Sequence, residues 1–473
     1  MAALEASPEF RGSHPTASTL EQISLDAPLL HNLVTNFPNL LVYTISAEKY
    51  ENVRTFFNAN MTQLPLAIVR PRTDAEVVAI VQELKAQDIP FGLRSGGHDL
   101  IFGQAQGKDG VIVDLRGLDS IFIAEDRQSV RVGGGIMGIK LSRFLQQHKL
   151  LTPHGLCPTV SIAGWAMGGG YGYMNAYHGL GADQILGARV VLANGSIVDT
   201  KDHPDLLWAL CGAGNGNFGV IGEVLKKFGE FEKDLPINFT GEATHMALPG
   251  VGPVFAWLFA WTSANDDLEE GWAFFETMKA LGTPVLNTVA EGMHTKLSLF
   301  KRQELARPAV DDFTFFNAMP SPTNVRWYPR LRMFECFTPG IASAFGNNSP
   351  PGATSATVIH AAHGRAIEAN PAACYPLRKR HRIATPLGAV IDTTSQAVEY
   401  EEYKKWADDL VDALSEQGGK LPYGNRNLGP EKDMDWVATY GEETLSRLRE
   451  IKKKFDPQNV FKTGYLRLNV HVS

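Results

Sequence analysis

The chain is 473 residues long, 44% hydrophobic, and carries a formal net charge of −7 at pH 7. That length supports two domains with cores of their own, and the acidic balance leaves no electrostatic footprint for nucleic acid. No apolar run approaches the ~18 residues needed to span a bilayer, and the longest near the N-terminus, Leu40-Leu-Val-Tyr43, is too short for a secretory core. The expectation is a soluble protein whose partners are small molecules, with no nucleic acid and no membrane among them. Its compartment stays open between cytoplasmic and secreted with a replaced signal peptide. Asn60-Met-Thr62, Asn238-Phe-Thr240 and Asn347-Asn-Ser349 fit the glycosylation pattern, but without a signal they carry little weight.

Residues 1–18, with Glu9-Phe-Arg-Gly-Ser-His14, read as an appended tag. Thr73-Asp-Ala-Glu76 reads as a capping box opening a helix with the apolar stripe Val77, Val78, Ile80, Val81 and Leu84. After it come a short strand and the turn Arg94-Ser95-Gly96-Gly97-His98. The glycines let backbone approach a ligand closely, and Arg94 adds charge suited to a pyrophosphate. Two more glycine clusters follow, Gly133-Gly134-Gly135 and Gly168-Gly169-Gly170, with Cys157 between them in Gly155-Leu-Cys-Pro-Thr-Val160. Taken singly, these read as turns, a core histidine and an inert buried thiol. Val220 to Leu225 reads as a strand, so Gly212 to Gly219 opens no helix and fails the dinucleotide fingerprint. Gly133 to Gly138 fails it too, having no acid at the required distance. Cys-x-x-Cys, His-Glu-x-x-His, EF-hand and Gly-x-Ser-x-Gly patterns are absent, so no metal site is expected.

The texture changes around Phe228 to Pro236. Beyond it, Asp267 to Leu281 and Tyr400 to Leu414 have helical periodicity, and their aromatics read as core. Phe337 to Thr357, rich in Gly, Pro, Ser and Asn, reads as a long loop, and Glu442 to Lys454 as a charged helix stopped at Asp456-Pro457. Four cysteines, Cys157, Cys211, Cys336 and Cys374, are too few and scattered for a disulfide framework.

In order along the chain, Arg94-Ser-Gly-Gly-His98, Val111 to Leu115, Val130 to Gly135, Gly155 to Val160, Gly168 to Gly172, Gly179 to Asp183 and Asn217-Phe-Gly-Val220 resemble successive motifs of one family. It is the FAD-linked oxidases of the vanillyl-alcohol oxidase superfamily, in the berberine-bridge-enzyme-like branch. Phe455-Asp-Pro-Gln-Asn-Val-Phe461 is similar to its closing motif, and the resemblance spans residues 55–465. It implies an α+β chain, with a two-domain PCMH-type FAD-binding fold and an antiparallel-sheet substrate domain. The FAD domain would take residues 19–230 and 435–473, the substrate domain 231–434. It also implies bicovalent FAD, with His98 on the 8α-methyl carbon and Cys157 on ring carbon C6. Arg94, Ser95, Gly96, Gly97, Gly133, Gly134, Gly168, Gly169, Gly170, Asn217 and Val220 would complete the cofactor contacts.

A flavin that accepts hydride at N5 needs a base for the substrate's heteroatom proton. The family pattern Tyr-x-Asn-Tyr-x-Asp is matched here by Tyr423 and Asn425, but Arg426 and Leu428 replace the second aromatic and the carboxylate. His178 stands where a tyrosine is usual, and an imidazole works as a base near neutral pH. His178, Tyr423 and Asn425 are therefore the expected catalytic residues. Tyr375, Leu377 and Tyr173 are the expected substrate contacts, Leu377 replacing a frequent histidine. The leading reading is oxidation of an alcohol, amine or C–H bond of a small organic molecule, a secondary metabolite, with O2 as acceptor. A redox-neutral flavin-retaining cyclase, an oligosaccharide oxidase and a nonenzymatic flavin binder are the alternatives.

Overall fold

The computed structural model describes residues 17–100, 106–148, 150, 152–172, 174–227, 239–248, 250–261, 269–279, 325–391, 397–464, 466 and 468. A four-stranded sheet has the order β1-β2-β4-β3, from β1 (Leu41–Tyr43), β2 (Ala67–Arg70), β3 (Phe91–Arg94) and β4 (Val111–Asp114). Helix Asp74–Ala86 crosses from β2 to β3, both of which pair in parallel with β4. Both halves of its Thr73–Glu76 capping box form, and Val77, Ile80, Val81 and Leu84 are fully buried beneath it. The 3.6-residue stripe thus became the face that covers the sheet.

The second sheet, of five strands, runs β5-β6-β9-β7-β8, from β5 (Ile121–Ile123), β6 (Ser129–Gly133), β7 (Ile185–Val191), β8 (Ile197–Asp199) and β9 (Val220–Lys227). The strand expected from Val220 is β9. Gly133 and Gly135 lie where the chain leaves β6, and an added Cβ would come within 2.2 Å of Leu118 O and 1.7 Å of Leu115 O respectively. These glycines seat one strand end on the preceding turn.

The third sheet is antiparallel and has seven strands: β10 (Phe239–Leu248), β11 (Gly252–Trp261), β12 (Val325–Pro329), β13 (Arg332–Phe334), β14 (Ala356–Ala362), β15 (His381–Ile391) and β16 (Lys420–Leu421). Its order is β11-β10-β14-β15-β13-β16, and β12 also pairs with β15. Helix Ala397–Ser415 covers one face through Trp406, Ala407, Leu410 and Leu414, in one core with Phe334 and Phe345. Helix Glu269–Lys279 falls within the expected Asp267 to Leu281. The chain is thus α+β, with an antiparallel sheet following the glycine-rich region.

The expected loop at Phe337 to Thr357 holds over 348–355, but its first half is helix Pro339–Asn347 and its end is the start of β14. Thr338 caps the helix by accepting from the Ile341 N–H, Pro339 occupies the first turn, and Ile341, Ala344 and Phe345 are buried. Cap, proline and i, i+3, i+4 spacing together outweigh the turn-forming composition.

Ser18, at the end of the segment read as a tag, is tied to β1, donating its N–H to Val42 O at 2.8 Å. At the other end, helix Glu442–Phe455 carries Lys452 inward. Its Nζ donates to Asp456 Oδ2 at 2.7 Å, Phe461 O at 2.7 Å and Asn217 O at 2.5 Å. Phe461 packs edge-on to Phe91 of β3, so the closing motif locks the C-terminal helix onto the first two sheets. Among the described residues, no helix is long and apolar enough to cross a membrane.

Candidate active site

A cleft of about 300 Å³ opens between the glycine turns and one face of the seven-stranded sheet. Its floor includes Arg94 to His98, Gly134, Gly155 to Cys157, Gly164, Gly214, Gly216 and Gly219. Its opposite wall is Trp327 of β12, Val358 and His360 of β14, and Thr385 and Leu387 of β15. The last four alternate along their strands, as residues on one sheet face must.

The turn after β3 brings the two expected attachment residues into this cleft. Gly97 has φ +71°, and a Cβ on Gly96 would lie 2.5 Å from Thr159 O, so only glycine lets this turn sit on the Cys157 segment. His98 Nε2 then hydrogen-bonds Thr159 Oγ1 at 2.6 Å. Burial pushes the His98 imidazole down to about 4, so it is neutral at pH 7. Burial, helped by the Glu242 carboxylate, pushes the Cys157 thiol up to about 12.

Arg94 lines the cleft, but its guanidinium is already engaged. It lies 2.8 Å from Asp114 Oδ2, which Arg70 and Arg116 also approach at 2.8 Å. Burial alone would raise the Asp114 carboxyl, yet the three guanidiniums hold it well below the usual range. Three guanidiniums on one carboxylate give the cluster a net charge of +2, against which the buried Asp99 carboxylate in the same lining counts −1. Arg94, expected to add positive charge beside the turn, does so within a cluster shared with Arg70 and Arg116. Ser95 Oγ donates to Gly134 O at 2.7 Å, tying two glycine turns together.

Other expected cofactor contacts lie outside the lining. Gly168, Gly169 and Gly170 are packing positions, where an added Cβ would meet Asn427 Nδ2 at 1.9 Å, the Tyr375 ring at 2.6 Å and Gly181 Cα at 2.5 Å. Gly133 packs on Leu118, Asn217 is buried with Nδ2 donating to Ala213 O, and Val220 is in the core.

His178 is not brought to the cleft. It ends the short helix Asn175–His178 and lines a second pocket with Asp183, Arg365, Glu368 and Asn370. Gly179, at φ +84°, turns the chain there, and Gln184 Nε2 donates to His178 O. Tyr423 is half-buried against the core. Asn425 is buried and donates to Gly168 O at 3.1 Å and Tyr375 OH at 2.7 Å. Tyr375 in turn donates to Tyr171 OH at 3.1 Å, and Tyr171 lines the cleft. Leu377 is core, while Tyr173 lies outside the described residues.

His360 of the wall is paired with a buried carboxylate that no local sequence pattern marks. Glu242 on β10 stands across from His360 on β14, one step beyond the Ala243–Ile359 pair, with Oε1 2.7 Å from His360 Nδ1. Glu242 is 3% exposed, and its Oε2 has no partner among the described residues. The two are 118 positions apart, and only strand register joins them.

A glycine-built floor, a surplus of positive charge, a neutral imidazole and a thiol in one large cleft fit FAD. Residues 65–201 match the FAD binding domain family, and residues 421–464 the berberine and berberine-like family. The FAD-linked oxidoreductase aurO of Gibberella zeae is 31% identical over 468 residues, covering 93% of this chain and 88% of the relative. The (R)-6-hydroxynicotine oxidase of Paenarthrobacter nicotinovorans is 25% identical over 445 residues, covering 88% of this chain and 94% of the relative. The crystal structure of 6-hydroxy-D-nicotine oxidase from Arthrobacter nicotinovorans shares the fold, with TM-score 0.74 at 21% identity over 91% of this chain and 98% of that one. The chain belongs to the berberine-bridge-enzyme-like FAD-linked oxidoreductases and is an FAD-dependent enzyme that oxidises small organic molecules.

Proposed function

We propose that His98 and Cys157 both bond FAD, and that the Glu242–His360 pair takes the proton while an alcohol, amine or C–H bond is oxidised. The observation that carries this reading is that both attachment residues and His360 line one cleft. FAD, when bound, supplies the hydride acceptor N5, one bridging carbon away from the C6 that Cys157 would hold. Thr159 engages His98 Nε2, which leaves Nδ1 as the atom that would hold the 8α carbon in place of one of its hydrogens, with dioxygen taking up the two electrons released. The Asp114 cluster and the Gly96–Gly97 turn favour the diphosphate.

The Glu242 carboxylate at Nδ1 keeps a hydrogen on that nitrogen, so Nε2 of His360 is the acceptor. A substrate O–H or N–H gives its proton there, its carbon loses hydride, and a C=O or C=N bond forms. Dioxygen is the final acceptor in this reading, taking two electrons and two protons to leave as hydrogen peroxide. The domain division at residues 230 and 434 fits the same reading, the first two sheets holding FAD and the third facing the substrate. Acid precipitation tests the attachment: the pellet should stay yellow, with one flavin joining the His98 and Cys157 peptides. Colourless wild-type pellets would refute it, and product formed without flavin bleaching would favour the redox-neutral cyclase.

A further inference from the structure

The His360 imidazole is held at one atom by Glu242, whose Oε1 lies 2.7 Å from Nδ1, and a ring held at one atom can still rock. The Tyr171 ring packs against it as well, with centroids 5.9 Å apart and planes 47° from parallel. Tyr171 is buried and lines the cleft beside His360.

Tyr171 is itself tied down by a chain of hydrogen bonds that can run only one way. His381 Nδ1 lies 2.6 Å from Lys379 O, and a carbonyl cannot donate, so Nδ1 carries the hydrogen and Nε2 accepts. Burial pushes the His381 imidazole down to about 4, which keeps it neutral. The Tyr171 hydroxyl therefore donates to His381 Nε2 at 2.8 Å, and that of Tyr375 donates to Tyr171 OH at 3.1 Å. Burial raises both phenols, so each keeps its proton. Asn425 Nδ2 donates to Tyr375 OH at 2.7 Å, and its Oδ1 accepts from Asn427 N–H at 3.0 Å, which fixes the amide. Such a chain starts on an amide and ends on a carbonyl, neither of which takes a proton at neutral pH. It cannot relay a proton, so what it does is hold position.

Strand register brings this chain to His360. His360 pairs with Ile383 and Ala362 with His381, so the two imidazoles share one sheet face. Tyr171 bridges them, its ring against one and its hydroxyl on the other.

We propose that Tyr171 is a positioning residue for the proton acceptor: His381, Tyr375 and Asn425 tether its hydroxyl, and its ring keeps His360 Nε2 turned to the cleft. This rests on His360 being that acceptor. Asn425 and Tyr375, expected at the chemistry itself, act on it through Tyr171.

The test compares nitroethane, which must lose a C–H proton before it can reduce a flavin, with ethyl nitronate, which has already lost it. Anaerobic bleaching of the flavin-loaded protein is followed with each. Tyr171→Phe keeps the ring but cuts the tether, and should slow nitroethane by about tenfold, within the cost of a reacting group misplaced by up to about an ångström. The nitronate rate should not follow it down. In a His360→Ala background the same substitution should cost nothing further with nitroethane, because the group it positions is gone. Tyr375→Phe should show the same pattern more weakly. Spectra of ¹⁵N-histidine-labelled protein give a readout without turnover: the His360 Nδ1–H should exchange with water about tenfold faster in Tyr171→Phe.

Equal slowing with both probes, or an equal cost in both backgrounds, would make Tyr171 merely structural and overturn the proposal. Wild-type bleaching and exchange in Tyr171→Phe would overturn it too, with His360 still the acceptor. A His360→Ala protein that takes nitroethane at the wild-type rate would instead refute the reading beneath it. Should neither probe bleach the wild type, the exchange rates decide, and an unchanged rate in Tyr171→Phe overturns the proposal.

Discussion

Asn58 pairs with both backbone groups of Trp327, 269 positions away: its Nδ2 donates to Trp327 O at 3.1 Å and its Oδ1 accepts from Trp327 N at 3.0 Å. Asn58 is fully buried, and Asn60 Nδ2 donates to the same carbonyl. The contact joins the FAD side of the cleft to β12 of the opposite wall. Asn58→Ala should therefore lower stability by about 2–4 kcal/mol, since it strands buried amide groups. Trp327→Leu should leave the clamp intact, and urea denaturation of both variants checks the difference.

The two proposed flavin bonds should differ in their response to pH. His98 is neutral above about 4, so the histidyl bond should form at a rate flat from pH 6 to 9. The Cys157 thiol is pushed up to about 12, so its thiolate fraction, and with it the C6 bond, should rise about tenfold per pH unit. Reconstitution of flavin-free protein with FAD, followed by peptide mapping over time, reads both rates. Equal, pH-independent rates would contradict this order.

His360→Ala and Glu242→Gln should each slow anaerobic flavin reduction by about 10²–10⁴-fold, the usual worth of a positioned base. Glu242→Gln keeps the shape but holds the imidazole less firmly in its accepting tautomer, so its effect should be the smaller. His178→Ala should reduce flavin at the wild-type rate, because His178 lines another pocket. The opposite ranking, with His178→Ala slow and His360→Ala normal, would move the base to the second pocket.

Asp114→Asn leaves three guanidiniums facing each other and should cost about 3–5 kcal/mol at pH 7. The folded carboxyl titrates well below its ordinary value, so its contribution is complete above about pH 4 and is lost as pH falls through the folded pKa. Melting temperatures of wild type and variant should accordingly converge as pH drops from 5 toward 2. A gap that stays constant across that range would argue that the cluster's charge plays no part.

Gly169→Val should damage folding before it damages cofactor loading. Gly169 has φ +105°, and a Cβ there would meet the Tyr375 ring at 2.6 Å. Strain of this kind costs about 1–3 kcal/mol before the clash is counted. A low yield of soluble protein whose folded fraction still binds FAD is expected. Well-folded protein that cannot bind FAD would return this tract to the cofactor.

Local rules made much of this protein legible from its residues alone. The Thr73–Glu76 capping box and its apolar stripe need only i, i+3 and i+4 neighbours, and they formed as read. The glycine turns ending at His98 and flanking Cys157 follow from backbone freedom, and the motif order along the chain pointed to FAD. Which side chains face the cleft was a different matter. Val358, His360, Thr385 and Leu387 share a wall because β14 and β15 pair in one register; a slip of one residue would turn all four away. Glu242 meets His360 only through the β10–β14 ladder, so no local pattern marks either as part of a pair. His178 shows the converse, for it lies close in sequence to the glycine tracts, yet Gly179 turns it into another pocket. Short-range stereochemistry determined the elements and the turns that carry His98 and Cys157, whereas strand register, which depends on the packing of the whole sheet, decided which groups line the cleft.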